Sequence, residues 1–251
     1  MILWRNIVAI LRRVDATADG RRPSRRLVAS TLANLLRRVV GASAIAASTA
    51  MTWESMWAAG LRPGQAFDVA GPSKALLRVM DTLPKGRTTL VPGAGRAYDA
   101  LALSEALGCP EVVALDIAPS ACAAARDWLA SAPASAARDR VRVVEGDFFD
   151  VAVPDVGLVW DCTFLCALPP SSREAWAERY AKLLAPGGEL VQLVFPIAPS
   201  KVGGPPFHLD LAIVRGLLRG TFEEVALHEL PPGTHMAGVP AGNAVVRWRR
   251  K

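Results

Sequence analysis

Residues 90–99, Leu-Val-Pro-Gly-Ala-Gly-Arg-Ala-Tyr-Asp, concentrate the features from which a ligand site could be built. An apolar run enters a turn on Gly93 and Gly95, and a helix-like segment leaves it. Glycine takes positive φ without penalty and lets a ligand approach the backbone closely. A strand feeding such a turn makes a nucleotide-shaped pocket at the carboxyl edge of a parallel sheet. A dinucleotide fingerprint would also need a small third residue, so that the helix packs close beneath the pyrophosphate. That place holds Tyr98. The spacing therefore disfavours a pyrophosphate and suits a nucleoside lacking one.

Three more groups could serve such a guest. Asp116 stands 23 residues after Gly93, where a carboxylate can accept both hydroxyls of a ribose; the alternative is an incidental strand-end aspartate. Asp147 and Phe148, in Glu-Gly-Asp-Phe-Phe-Asp, offer an oxygen for an adenine amino group and a ring for its face, or form a plain turn. Trp53 and Trp57 are four apart and share one face of a helix. They are either core residues or an aromatic cap over a cation, worth about 0.5–2 kcal/mol.

These residues require an α/β scaffold. Strands are expected at Thr89–Val91, Val112–Ile117, Val141–Glu145, Val156–Asp161 and Leu190–Phe195. Helices are expected at Ala97–Leu107, from Pro119 through about Ala132, at Ser171–Leu184 and at His208–Leu218. Pro186-Gly187-Gly188 stops the third of these. Two closing runs, Glu224–Leu230 and Ala244–Trp248, suit an antiparallel finish. Each principal site residue then falls at or beyond the carboxyl end of a strand, where open α/β sheets bind ligands.

Composition narrows the class. The chain has 251 residues, 51% of them hydrophobic, enough for one large core. No run of 18 apolar residues occurs, so no transmembrane helix and no membrane partner are expected. Cys109, Cys122, Cys162 and Cys166 lack zinc-site spacing, so no metal is expected and free thiols are. The net charge of +6 is uneven: residues 1–50 carry nine arginines against Asp15 and Asp19, leaving the remainder near −1. A nucleic-acid partner is not expected from so ordinary a balance. Residues 1–50 are rich in Arg, Ala and Ser without Lys or Glu, the features of an organelle transit peptide. Two alternatives stand: an amphipathic helix at 27–40, or a true start at Met51. Residues 51–251 are read as a single domain. The compartment is plastid or mitochondrion with a genuine leader, and cytoplasm otherwise.

The ordered set Trp-x3-Trp, Pro-Gly-Gln-Ala-Phe-Asp, Leu-Val-Pro-Gly-Ala-Gly-Arg-Ala-Tyr-Asp, Ala-Leu-Asp-Ile, Gly-Asp-Phe-Phe-Asp, Trp-Asp-Cys-Thr-Phe-Leu-Cys-Ala-Leu-Pro-Pro, Leu-Leu-Ala-Pro-Gly-Gly-Glu-Leu, Phe-Pro-Ile and Gly-Gly-Pro-Pro-Phe resembles the thiopurine/thiol methyltransferase superfamily. Within it, the halide and thiol (thiocyanate) methyltransferase branch is the more similar. The resemblance runs from about Trp53 to the C-terminus. It implies a class I methyltransferase fold: a Rossmann-like, seven-stranded, mostly parallel sheet with helices on both faces. It also implies S-adenosyl-L-methionine as methyl donor, with Trp53, Trp57, Gly64, Gly93, Gly95, Asp116, Asp147, Phe148 and Cys162 around it. Gly64 stands where relatives often place another aromatic, and Ala97 replaces a third glycine.

The acceptor side is expected where strands four and five end, with Phe164, Phe195, Phe207 and His208 as pocket candidates, unless the Pro and Phe residues there only shape turns. Apolar walls suit a small soft nucleophile: halide, thiocyanate, bisulfide or thiol. Relatives can carry tyrosine where this chain has Phe195 and Phe207, and loss of those hydroxyls adds weight to a thiol. A thiopurine acceptor and a non-catalytic binding protein on the same fold are the alternatives. His208 and Asp161 are the candidate bases, and the expectation is that no base is essential. A monomer is expected.

Overall fold

The structure, a computed structural model, describes residues 53–153, 155–236, 239 and 241–251. The readings of residues 1–50 lie outside them. The chain enters through a helix at residues 53–58 (α1) and continues through α2 (Lys74–Val79). Two overlapping β-α-β units follow: β1 (Thr89–Pro92), α3 (Tyr98–Leu107), β2 (Val112–Asp116), α4 (Pro119–Ser131), a one-turn α5 (Ala136–Asp139) and β3 (Val141–Glu145). The second half comprises β4 (Leu158–Asp161), α6 (Arg173–Leu183), β5 (Glu189–Ile197), α7 (Leu211–Leu218), β6 (Phe222–Leu230) and β7 (Gly242–Arg250).

The strands form one sheet in the order β3-β2-β1-β4-β5-β7-β6. All pairings are parallel except those of β7, which is antiparallel to both β5 and β6. The central strands are buried on both faces, as their continuous apolar runs require. On one face Leu76, Leu103 and Leu129 from α2, α3 and α4 pack with Val91, Ala114, Trp160 and Leu193. On the other, Trp176 and Tyr180 from α6 and Val214 and Leu218 from α7 pack with Leu90, Val159, Val194 and Trp248. Strand order reverses between β1 and β4, which makes that crevice the topological switch point.

Some boundaries differ from those expected, each for a local reason. The last helix begins at Leu211, not His208, because Asp210 is its N-cap and accepts the Ile213 amide at 2.7 Å. Helix α3 begins at Tyr98, since Ala97 is left-handed with φ +62°. The closing strands are longer than their apolar cores: Glu189 on β5 pairs with Arg247 (2.7 Å) and Arg249 (3.3 Å), carrying charged residues into the ladder. The short α2 and α5 carry too little pattern to be anticipated.

Candidate active site

The glycine turn lies at the carboxyl end of β1 and is tied to the next strand. Ala94 N–H donates to Leu115 O at 3.0 Å, and Gly95 N–H donates to the Asp116 carboxylate at 2.9 Å. The other Asp116 oxygen accepts Ala118 N–H at 3.0 Å. Burial pushes the Asp116 carboxyl up, while these amide bonds hold it down. Gly93 and Gly95 have φ of +60° and +52°, conformations that an L side chain rarely adopts. Space is tight as well. A Cβ on Gly93 would sit 2.9 Å from the Phe164 ring, and one on Gly95 would sit 3.3 Å from Trp57. Two aromatic rings therefore lie directly on the turn.

Helix α1 is fastened at both flanks. Glu54 accepts Ser120 N–H at 3.0 Å and the Ser120 hydroxyl at 2.6 Å, which caps the start of α4 and holds the Glu54 carboxyl low. Trp53 and Trp57 pack edge-on against Phe67 at 5.3 and 5.9 Å. The Arg96 guanidinium lies 5.3 Å from the Trp57 ring centre. It donates to Asp68 at 2.8 Å and also to the Leu61 carbonyl. Asp68 additionally accepts Ala70 N–H at 2.8 Å and Gly64 N–H at 3.4 Å. Gly64 sits on the exposed turn that this aspartate organises, with φ +80°. Trp53 and Trp57 are thus both packed and, in Trp57's case, laid over the turn.

Beyond β3, Asp147 accepts Phe149 N–H at 2.9 Å, which shapes the turn, and burial pushes its carboxyl up. Phe148 is buried and meets Phe164 edge-on at 4.9 Å. Phe164 therefore joins the glycine turn and Phe148, whereas Phe195 packs on the opposite face of the sheet, with Trp160 and Leu193. The two do not form one wall. Phe207 is held by its own amide, which donates to Cys166 O at 2.7 Å.

Both candidate bases are engaged. Asp161 is fully buried and accepts from Trp176 Nε1 (2.8 Å), Tyr180 OH (2.8 Å) and Leu165 N–H (3.2 Å). His208 Nδ1 accepts Ala198 N–H at 3.1 Å, and its Nε2 faces Asp210 at 3.4 Å. Cys162 belongs to a different set with Asp99 and the buried Ser73 and Trp160. Asp99 accepts Ser73 N–H and Trp160 Nε1–H, each at 2.6 Å. Burial, with Asp99 alongside, drives the Cys162 thiol far above its usual range. Among the described residues no cluster of three or more His, Cys, Asp or Glu is placed to hold a metal ion.

The family model described as Thiopurine S-methyltransferase (TPMT) matches residues 48–239. The chain belongs to the thiopurine S-methyltransferase family. It is 36% identical over 206 residues to probable thiol methyltransferase 2 of Arabidopsis thaliana, covering 79% of this chain and 84% of that protein. It is 36% identical over 178 residues to thiocyanate methyltransferase 1 of the same plant, covering 69% and 70% respectively. Among solved structures, the glycopeptide N-methyltransferase MtfA complexed with S-adenosyl-L-methionine matches with TM-score 0.58 at 22% identity, over 74% of this chain and 90% of that one. The N-methyltransferase NodS from Bradyrhizobium japonicum WM9 matches with TM-score 0.56 at 17% identity, over 70% and 83%. These likenesses establish the class I methyltransferase fold.

Several residues that build this site in a thiopurine S-methyltransferase family chain escaped sequence reasoning. Asp68 ends the Pro-Gly-Gln-Ala-Phe-Asp stretch and Arg96 lies within residues 90–99, and their opposite charges were the available signal. Glu54 lies between the tryptophans and looks like solvent-facing charge. Ser73 and His235 carry no pattern at all. His235 lies in the β6–β7 connection, yet it is 94% buried, with only 6% exposure.

Proposed function

We propose that this chain transfers the methyl group of S-adenosyl-L-methionine to a small soft nucleophile: a thiol, bisulfide, thiocyanate or halide. The observation that carries the reading is the Gly95–Asp116 pair at 2.9 Å beneath Trp57. The Gly93–Gly95 turn has no space for a side chain at either glycine, and Asp116, held by backbone amides at the end of β2, is the carboxylate for a ribose hydroxyl. Trp57 supplies an aromatic face for a cation; Asp147 and Phe148 stand where an adenine would be read and covered. Trp53 supports Trp57 through Phe67, Cys162 lies beside Asp99 in the first turn of α3, and Gly64 contributes through its turn. The donor supplies an electrophilic methyl on a sulfonium. The protein's task is alignment, and well-oriented groups reach effective molarities on the order of 10⁵ M or more.

No proton needs to be taken from a halide or thiocyanate, and the engaged states of Asp161 and His208 fit a nucleophile that arrives as an anion. The apolar Phe195 and Phe207 suit weakly hydrated atoms. The thiol and thiocyanate methyltransferase names of the similar plant proteins support the same acceptor class. We place the catalytic domain at residues 51–251.

Headspace gas chromatography after incubation with S-adenosyl-L-methionine and iodide, chloride, thiocyanate or bisulfide tests the proposal. A volatile methylated product is expected from at least one. Failure with all four, together with turnover of a thiopurine, would overturn the small-acceptor reading.

A further inference from the structure

The β6–β7 connection is braced so as to bury one imidazole. The Pro231 carbonyl accepts Thr234 N–H (3.1 Å), the Thr234 hydroxyl (2.6 Å) and the Asn243 side-chain amide (3.1 Å). The next residue, His235, is carried inward to meet the Phe195 ring edge-on at 5.1 Å, at the carboxyl end of β5. Its Nδ1 lies 3.0 Å from the Ser73 hydroxyl. Ser73 in turn donates its backbone N–H to Asp99, in the first turn of α3 just behind the glycine turn. The chain of contacts Phe195–His235–Ser73–Asp99 therefore spans β5 to the end of β1, across the switch point.

Only one ring nitrogen is accounted for. Among the described residues no hydrogen bond reaches His235 Nε2. Burial lowers the imidazole to about 4, so at neutral pH the ring is uncharged, carries one N–H and does not oppose a neighbouring cation. The Ser73 hydroxyl has two neighbours, Nδ1 and the Cys162 sulfur. Sulfur is a weak acceptor, so the hydroxyl proton goes to Nδ1 and the ring proton to Nε2. The result is a neutral, oriented N–H donor against an otherwise apolar wall.

We propose that His235 Nε2–H is the hydrogen-bond donor that holds the anionic acceptor atom against Phe195, with Ser73 as the positioning residue that fixes its tautomer. This rests on the methyl-transfer reading of the site. It supplies what Phe195 and Phe207 lack, a polar contact for thiocyanate, halide or thiolate. The nucleophile's lone pair that is not hydrogen-bonded forms the new bond to carbon as the sulfonium carbon–sulfur bond breaks, and no proton moves.

The test is steady-state kinetics with iodide and thiocyanate for wild type, His235→Phe, His235→Gln and Ser73→Ala, with S-adenosyl-L-methionine affinity measured by calorimetry. His235→Phe keeps the aromatic packing and removes the donor. Its KM for both anions should rise at least tenfold, with kcat changed less than threefold and cofactor affinity within twofold. His235→Gln should recover most of that loss. Ser73→Ala should show an intermediate rise; α2 has no side-chain cap bond from Ser73 to lose, so this variant serves even if His235→Phe does not fold. An unchanged acceptor KM, an equal fall in cofactor affinity, or a Gln variant as impaired as the Phe variant overturns the proposal. If the wild type turns over neither anion, the methyl-transfer reading with these acceptors fails. Calorimetric thiocyanate binding to the S-adenosyl-L-homocysteine complex then decides for His235: weakening in the Phe variant supports the donor role. Equal binding, or none, refutes it.

Discussion

Replacing Arg96 by methionine should cost more stability than any surface substitution and should also loosen the cofactor site. The Arg96 and Asp68 side chains are 14% and 3% exposed and meet at 2.8 Å. At an effective dielectric of about 20, charges about 4 Å apart attract by roughly 4 kcal/mol. Removing Arg96 leaves Asp68 buried with its amide donors but no countercharge, and breaking a buried pair costs about 3–5 kcal/mol. Folding stabilities are about 5–15 kcal/mol in total, so the loss is a large fraction of the whole. For a domain of this size it corresponds to a fall of roughly 10 °C in Tm. Trp57 would lose the cation on its face and the Leu61 carbonyl its donor, so the ring that covers Gly95 would lose its support. Chemical denaturation of Arg96→Met, Asp68→Asn and the double variant measures the coupling directly. The double variant should be less damaged than the sum of the singles by at least about 1.5 kcal/mol, and calorimetry should show weaker S-adenosyl-L-methionine binding in Arg96→Met. A single-variant cost below about 1 kcal/mol, or strict additivity, would refute the latch.

Three further outcomes are expected. Gly93→Ala forces a Cβ into the left-handed region and to 2.9 Å from Phe164; unfolding should show a loss of about 2–3 kcal/mol, and calorimetry at least tenfold weaker cofactor binding. His208→Ala should keep thiol turnover within threefold, because Nδ1 already accepts the Ala198 amide; a loss above tenfold with normal cofactor affinity would make it the missing base. His235 is neutral down to about 4 when folded, whereas the unfolded chain takes up its proton near the ordinary 6.5. Its contribution to stability is therefore complete above pH 6.5 and is lost as pH falls from 6.5 toward 4, by up to about 3 kcal/mol. Denaturation curves across that window should show this acid slope in wild type and lack it in His235→Phe.

The proposed cofactor half of the site draws on local signals. Gly93 and Asp116 each close an apolar run that became a buried strand, and Asp147 follows the Val-rich edge strand β3, so the sheet's carboxyl edge could be read before the fold was seen. The acceptor half was less legible, since its parts come from separate segments. Phe164 and Phe195 were grouped as pocket candidates, but Phe164 lies in the turn beyond β4 and packs with Phe148, whereas Phe195 lies within β5 and packs in the cluster of Leu193 and Trp160. His208 looked like the start of a helix until Asp210 supplied the cap. His235 was invisible: its loop has no period, and its burial depends on Phe195 and Ser73, 40 and 162 residues away in sequence.

The placement of β7 between β5 and β6 bears on synthesis. Strand β6 leaves the ribosome before β7, the strand with which it bonds. Until β7 arrives, β5 also presents an unpaired edge, with Leu190 to Val194 in register for a partner that does not yet exist. Nascent chains halted in this interval carry two open strand edges, the state most exposed to wrong pairing. The same insertion brings the β6–β7 connection, and His235 with it, into place only when the sheet closes. A chain can therefore form the β1–β2 turn region while the β6–β7 connection is still out of place.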